Sequence, residues 1–227
     1  MSVCLMLHGV GTPPSGVTAD EMPYWVSEAL FADIVALARR TGSHLTFDDG
    51  NATDAAKVLP ALRTAGITAS FFILTDRIGT AHYMSEDDIR TLHKAGMEIG
   101  SHGCDHVAWT DMSDQEIAAD VKRSTGRLSQ IIGEPVRTVA VPFGACDRRV
   151  LRVLRGLGVG RVYTSFRGLC SPDGWIVRRY CIKSHMTIAD IKALVTQRNT
   201  PLCRLIGFLR TWRHAGRAAL WTAPQEM

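Results

Sequence analysis

HLTFDDGNATDAAKVLPALRTAGITASFFIL, residues 44–74, is the stretch that sets the architecture. His44-Leu45-Thr46-Phe47 forms a short strand that runs into Asp48-Asp49-Gly50. Residues 53–65 are helical, with Thr53 or Asn51 near the start and Gly66 as the stop. Ile67 to Leu74 is an apolar run rich in strand formers. A strand, a helix and a second strand joined by short loops make a crossover unit, which places the two strands parallel.

The same alternation extends in both directions. Upstream, residues 3–8 read as a buried strand, and a loop rich in Gly, Pro and Thr runs from Gly9 to about Pro23. A helix over residues 26–40 follows, with Ser27 as a cap. Downstream, Ser85 caps a helix over 85–95 whose first turn is acidic, and Met97 to Ser101 is a strand that delivers His102. Ser113 and Glu116 form a capping box for a helix over 113–132. Strands at Thr138–Pro142, Arg161–Thr164 and Ile176–Ile182 then alternate with helices over 147–157 and Thr187–Arg198. A parallel sheet covered by helices results, either a barrel or an open doubly wound sheet, and periodicity does not separate the two. In a barrel, polar residues that follow strand C-termini share one face, where catalytic sites are built.

Composition narrows the function classes. The chain has 227 residues, 46% hydrophobic and 21% charged, which suits a globular domain with a substantial core. A net charge of +4 is too weak to argue for nucleic acid, and no nucleic-acid motif is present, so no nucleic-acid partner is expected. Six cysteines without a C-x-x-C pair read as reduced thiols. The opening MSVCLMLHGVG is a poor signal peptide and too short to span a bilayer, so a cytoplasmic location is expected. Residues 1–200 read as one domain, the one that carries the motifs described below. Residues 201–227 are apolar and basic together, which suits an amphipathic helix packed on the domain, with peripheral membrane contact as the sharper alternative.

Two motifs carry chemistry. Two adjacent carboxylates at the end of an apolar strand, Asp48 and Asp49, are costly to desolvate unless a cation neutralises them, although Asp-Asp-Gly is also a common turn. In Ser101-His102-Gly103-Cys104-Asp105-His106, a helical turn would put both imidazoles on one face, although two unrelated surface histidines share that spacing. Together they offer one carboxylate and two imidazoles, a three-ligand set that leaves room for water and substrate. Cys104, two positions from each histidine, is expected to point elsewhere.

Thr46-Phe47-Asp48-Asp49-Gly50 and Ser101-His102-Gly103-Cys104-Asp105-His106 resemble the first two motifs of the polysaccharide deacetylase (NodB homology) family, and the resemblance covers roughly residues 3–185. It implies a distorted (β/α) barrel of about seven strand–helix units. It also implies metal-dependent removal of acetyl groups, N- or O-linked, from a carbohydrate, with Asp49, His102 and His106 holding a divalent ion such as Zn2+, Co2+, Ni2+ or Mn2+, and Asp48 as general base. The third family motif, Arg-Pro-Pro-Tyr-Gly, corresponds to Ala140-Val141-Pro142-Phe143-Gly144, so the arginine that orients the base is missing and Phe143 offers only its backbone N–H as an oxyanion donor. By the same resemblance Asp173 and Trp175 stand for a groove wall, and His185 is the first candidate for the acid histidine. His8, at the end of the first strand, is the second. Tyr24 and Trp25 read as buried aromatics, with sugar stacking as the alternative. The lost arginine leaves room for an amidase acting on a non-sugar bond or for an impaired carbohydrate-binding protein.

Overall fold

The computed structural model describes residues 2–171 and 174–196. Asp173 and the 201–227 segment therefore lie outside the described residues. In chain order the elements are β1 (Cys4–Leu7), β2 (Gly9–Val10), β3 (Trp25–Val26), α1 (Glu28–Thr41), β4 (His44–Asp49), α2 (Leu59–Ala65), β5 (Ala69–Ile73), α3 (Glu86–Lys94), β6 (Glu98–Ser101), α4 (Asp114–Ile132), β7 (Thr138–Ala140), α5 (Arg148–Gly156), β8 (Arg161–Thr164), β9 (Ile176–Arg178), β10 (Tyr180–Cys181) and α6 (Ile188–Val195). Among the described residues no helix is long and apolar enough to cross a membrane.

The main sheet has eight strands in the order β10-β1-β4-β5-β6-β7-β8-β9, and every pairing is parallel. β9 and β10 stand at opposite ends of that order yet are separated in the chain only by Arg179. The last strand thus pairs β8 through its first half and β1 through its second half, which curls the sheet into a nearly closed barrel. Counting β9 and β10 as one stave leaves seven staves, as the family resemblance implies. The small β2–β3 pair lies outside the barrel sheet.

Local sequence determines the helix ends. Ser27 caps α1 by accepting from the Leu30 N–H, and reciprocal capping boxes open α3 (Ser85 with Asp88), α4 (Ser113 with Glu116) and α6 (Thr187 with Asp190). Each such cap contributes about 1 kcal/mol. α2 begins differently, with a wide turn over Asp54–Val58 in which the Leu59 N–H reaches back to the Asp54 carbonyl.

Strand alternation divides the side chains between two environments. On β4 and β5, Leu45, Phe47, Phe71 and Ile73 join the layer beneath the helices, where Phe47 stacks on Phe71 at 5.0 Å. A second apolar cluster joins Ile117 and Val121 of α4 and Leu151 and Leu154 of α5 to Val139 and Val162 of the sheet. Thr46, Asp48 and Ser70 fall on the opposite parity, inside the barrel, where all are buried.

Candidate active site

The chemistry-bearing residues gather at the C-terminal ends of the strands. A cleft of about 700 Å3 opens there, and its lining includes His8, Tyr24, Asp48, Asp49, His102, His106 and Phe143. The loop from Pro14 to Glu21 and the segment around His82 and Tyr83 complete its walls.

Asp49, His102 and His106 present ligand atoms that all lie within 4.8 Å of one another. His102 Nε2 is 3.6 Å and His106 Nε2 3.8 Å from Asp49 Oδ1. These separations are too long for hydrogen bonds, and they are under twice the roughly 2.0–2.2 Å at which nitrogen and oxygen ligands hold zinc. Asp49 Oδ1 is buried with no hydrogen-bond partner. An unpaired buried carboxylate oxygen is costly, and a shared cation is the partner that this donor set fits. Second contacts orient the imidazoles. His102 Nδ1 lies 3.0 Å from the Ala140 carbonyl, so Nδ1 carries the proton and Nε2 keeps its lone pair towards Asp49. The His106 ring stacks on Phe143 at 4.0 Å. Burial, with the neighbouring His102, pulls the His106 pKa down to about 4, so the ring is neutral and ready to ligate.

The two histidines do not converge through a helical turn. Residues 102–106 form a loop in which Gly103 and His106 take positive φ values of 83° and 52°. The second histidine is therefore turned back towards the first by left-handed backbone, and the spacing of four has no helical origin. Cys104 points away, as expected, with its thiol 3.5 Å from the Asp120 carbonyl and 3.0 Å from Arg123 Nε.

Asp48 is held differently from its neighbour. Arg179 donates to both carboxylate oxygens, at 2.6 Å and 2.8 Å, and also to the Thr46 hydroxyl and the Thr164 carbonyl. All of this is buried, with the guanidinium 5.4 Å from the centre of the Phe72 ring. Burial pushes the Asp48 carboxyl up, but the Arg179 charge, His102 and the arginine hydrogen bonds outweigh it and hold the pKa below the ordinary carboxylate value. Asp48 is therefore an anion fixed in one orientation, with one oxygen 3.9 Å from His102 Nε2.

Arg179 is the functional residue that the sequence reading missed. Ala140 stands where the motif-three arginine would be, and a positive charge reaches Asp48 from the closing strand instead. Arg179 shares strand parity with Val177, and only the closed barrel shows that this parity faces inward.

The remaining expected site residues divide. His8 lines the cleft with a buried, unpartnered Nδ1, and its ring lies 4.8 Å from Tyr24. Burial pulls its pKa down. Phe143 is exposed at the cleft with φ 56°, and Tyr24 and Trp25 both line it, so these two aromatics are cleft walls rather than purely core. His185 is not brought there. The Ser184 N–H is bonded to the Pro23 carbonyl, and the chain then turns outward, which leaves His185 exposed ahead of α6 and near Asp190. Trp175 is fully buried, donating to the Val159 carbonyl at 2.7 Å within the α4–α5 core, so it is a packing residue and not a groove wall.

Comparison with known proteins bears on the family and the fold. The family model described as polysaccharide deacetylase matches residues 39–162, which leaves His8 and Arg179 outside the matched stretch. Among curated proteins, YxkH of Bacillus subtilis is 23% identical over 129 residues, 57% of this chain and 46% of that protein. Chitin deacetylase 1 of Cryptococcus neoformans is 25% identical over 135 residues (59% and 28%). The peptidoglycan-N-acetylglucosamine deacetylase PgdA of Listeria monocytogenes is 28% identical over 107 residues (47% and 22%). The chain thus spans less than half the length of these relatives. Two solved structures share the fold: the Streptococcus pyogenes deacetylase PplD in complex with acetate, with TM-score 0.76 and 18% identity over 86% of this chain and 98% of that one, and IcaB from Ammonifex degensii, with TM-score 0.72 and 20% identity over 87% and 98%.

Proposed function

The chain belongs to the polysaccharide deacetylase family, and on that premise we propose that it hydrolyses acetyl groups from a carbohydrate. The observation that carries the reading is an arginine-clamped, anionic Asp48 beside the convergent Asp49, His102 and His106 in one cleft. The names of the relatives, which include chitin and peptidoglycan-N-acetylglucosamine deacetylases, favour an N-acetylated glycan over an O-acetylated one.

Asp49, His102 and His106 would hold a divalent transition ion, and two imidazoles with one carboxylate suit Zn2+. Such an ion supplies Lewis-acid polarisation of a water and of the acetyl carbonyl. Asp48 accepts the proton of the attacking water, and Arg179 keeps the carboxylate charged and aimed for that transfer. The Phe143 backbone N–H would serve as the donor to the developing oxyanion, a role supported by the position of Phe143 in the cleft lining. His8 replaces His185 as the candidate that passes the proton taken up by Asp48 on to the leaving nitrogen or oxygen, because it lines the cleft with a free ring nitrogen. The cleft of about 700 Å3, walled by Pro14–Glu21 and by His82 and Tyr83, is large enough for a sugar residue with its acetyl group.

The test is acetate release from N-acetylglucosamine oligomers by the metal-loaded protein, before and after removal of metal with a chelator and after its return. Acetate released only in the loaded states supports the reading. A loaded protein that releases none from any acetylated glycan overturns it.

A further inference from the structure

The cleft contains a cation that the proposed hydrolysis does not use. Lys183 follows β10 and lines the cleft. Its position is fixed by the next residue, whose N–H donates to the Pro23 carbonyl at 2.8 Å. The ammonium sits 4.7 Å from the centre of the Tyr24 ring, and the other neighbour of Tyr24 is the His8 ring at 4.8 Å. His8, Tyr24 and Lys183 therefore form a continuous row along one wall.

The other cations of this region are already engaged by the protein. Arg179 is bound to Asp48, and Arg77 donates to the Tyr83 hydroxyl and lies 3.8 Å from Asp105. Lys183 has an aromatic face beneath it and, among the described residues, no carboxylate within ion-pair distance. Besides Asp48 and Asp49, which serve the proposed metal and base, Asp20 and Glu21 line the same cleft, but both are exposed and the Glu21 carboxylate accepts from the Thr18 N–H. An aromatic seat holds an ammonium in place without neutralising it. The ammonium has three donors and no acceptor, so its complement is an acceptor, best a charged one.

We infer that Lys183 forms an oxyanion-reading subsite on the leaving-group side of the cleft, so that the preferred sugar carries a carboxylate or a phosphate ester close to its acetyl group. The inference rests on the deacetylase reading in one respect, that His8 marks the leaving-group side. The row then meets substituents of the sugar ring and not the acetyl group. Lys183 is a specificity residue in this account and takes part in no bond-making step.

The test uses the full, metal-loaded chain with three synthetic probes: a neutral N-acetylglucosamine tetramer, the same tetramer bearing a lactyl carboxylate, and the same tetramer bearing a phosphate monoester. The wild type should prefer one of the anionic probes, and which one identifies the source of the oxyanion. Lys183→Met should lower the anionic-to-neutral ratio of kcat/KM by about tenfold, the worth of one charge-assisted hydrogen bond, mainly through KM. Lys183→Arg should restore part of it. An unchanged ratio in the Met variant, a wild type indifferent to both anions, or an equal fall in kcat on all three probes overturns the inference. Calorimetric titration of the deacetylated anionic tetramers separates the two readings. If no probe yields acetate but the Met variant still binds these tetramers about tenfold more weakly, the subsite stands and the deacetylase reading fails. If both proteins bind them alike, the subsite fails whatever the acetate assay shows.

Discussion

Replacing Arg179 with Met is the most informative perturbation, because one change tests both how the barrel closes and how Asp48 is kept charged. Met keeps a long apolar stem against Phe72 and Tyr163 but removes both hydrogen bonds to Asp48. Removing one partner of a buried ion pair costs about 3–5 kcal/mol, since the other charge stays buried. In a domain of this size that is a fall in Tm of about 6–20 °C. The pH dependence is the sharper signature. In the wild type the folded pKa of Asp48 lies below its unfolded value, so the pair's stability is present above the unfolded pKa and is lost as pH falls through the folded one. Without Arg179, burial dominates and the folded pKa rises above the unfolded value. Stability then decreases as pH rises through the carboxylate range, by about 1.4 kcal/mol per pH unit until the folded group ionises. Chelator-treated wild type and variant are compared by urea unfolding from pH 4 to pH 7, with acetate release measured in parallel on metal-loaded protein. A variant that keeps the wild-type slope against pH and full activity would refute the assignment of Arg179 as the group that keeps Asp48 ionised.

The other expectations are more local. Asp49→Ala and His102→Ala should lose bound metal and acetate release together, whereas Asp48→Asn should keep the metal, read by elemental analysis, and lose about two to four orders of magnitude in rate. Asp54→Asn should stabilise the protein at neutral pH. Asp54 is buried with both carboxylate oxygens unpartnered, and burial, with Asp49 and Asp48 nearby, raises its pKa well above the ordinary value. Its protonation penalty grows as pH rises above the unfolded pKa, so the gain in urea midpoint should shrink towards pH 4 and vanish below it. Ser113→Ala should cost about 1 kcal/mol by opening the α4 capping box, with no change in metal content.

The convergence of Asp49, His102 and His106 was legible because each sits in a short motif at or just after a strand end, so local sequence is enough to place it on the barrel mouth. The helix starts at Ser27, Ser85 and Ser113 were legible for the same reason, since a cap acts within one turn. Closure of the sheet was not, because it depends on a pairing between the two ends of the domain, Leu5 with Tyr180, which periodicity does not encode. Arg179 was hidden likewise: its partner Asp48 lies 131 residues away. His185 was favoured over His8 by motif order alone, and the Ser184–Pro23 hydrogen bond that turns the chain away before His185 has no sequence signature. The spacing of His102 and His106 suggested a helical turn, but a spacing of four is equally met by a loop that doubles back at left-handed residues.

Those left-handed residues form a pattern of their own. Among the described residues four that are not glycine have positive φ, namely Asp49, His82, His106 and Phe143, and all four line the cleft. A side chain in this region is disfavoured wherever the backbone has an alternative, so its recurrence in one place means the surrounding structure enforces it. At Asp49 the reason is visible. Strand alternation sends Asp48 into the barrel and would send Asp49 to the opposite face, beneath the helices, where a carboxylate has no partner. A φ of 77° ends the strand regularity at that residue and lets both carboxylates serve one cleft, Asp48 from inside the barrel and Asp49 from its rim. His106 and Phe143 then meet as a stacked pair because both loops bend the same way at the same rim. The barrel therefore supplies a rigid, regular wall, and the chemistry is assembled where that regularity is broken: at the left-handed strand ends, and at Arg179, where the last strand changes partners.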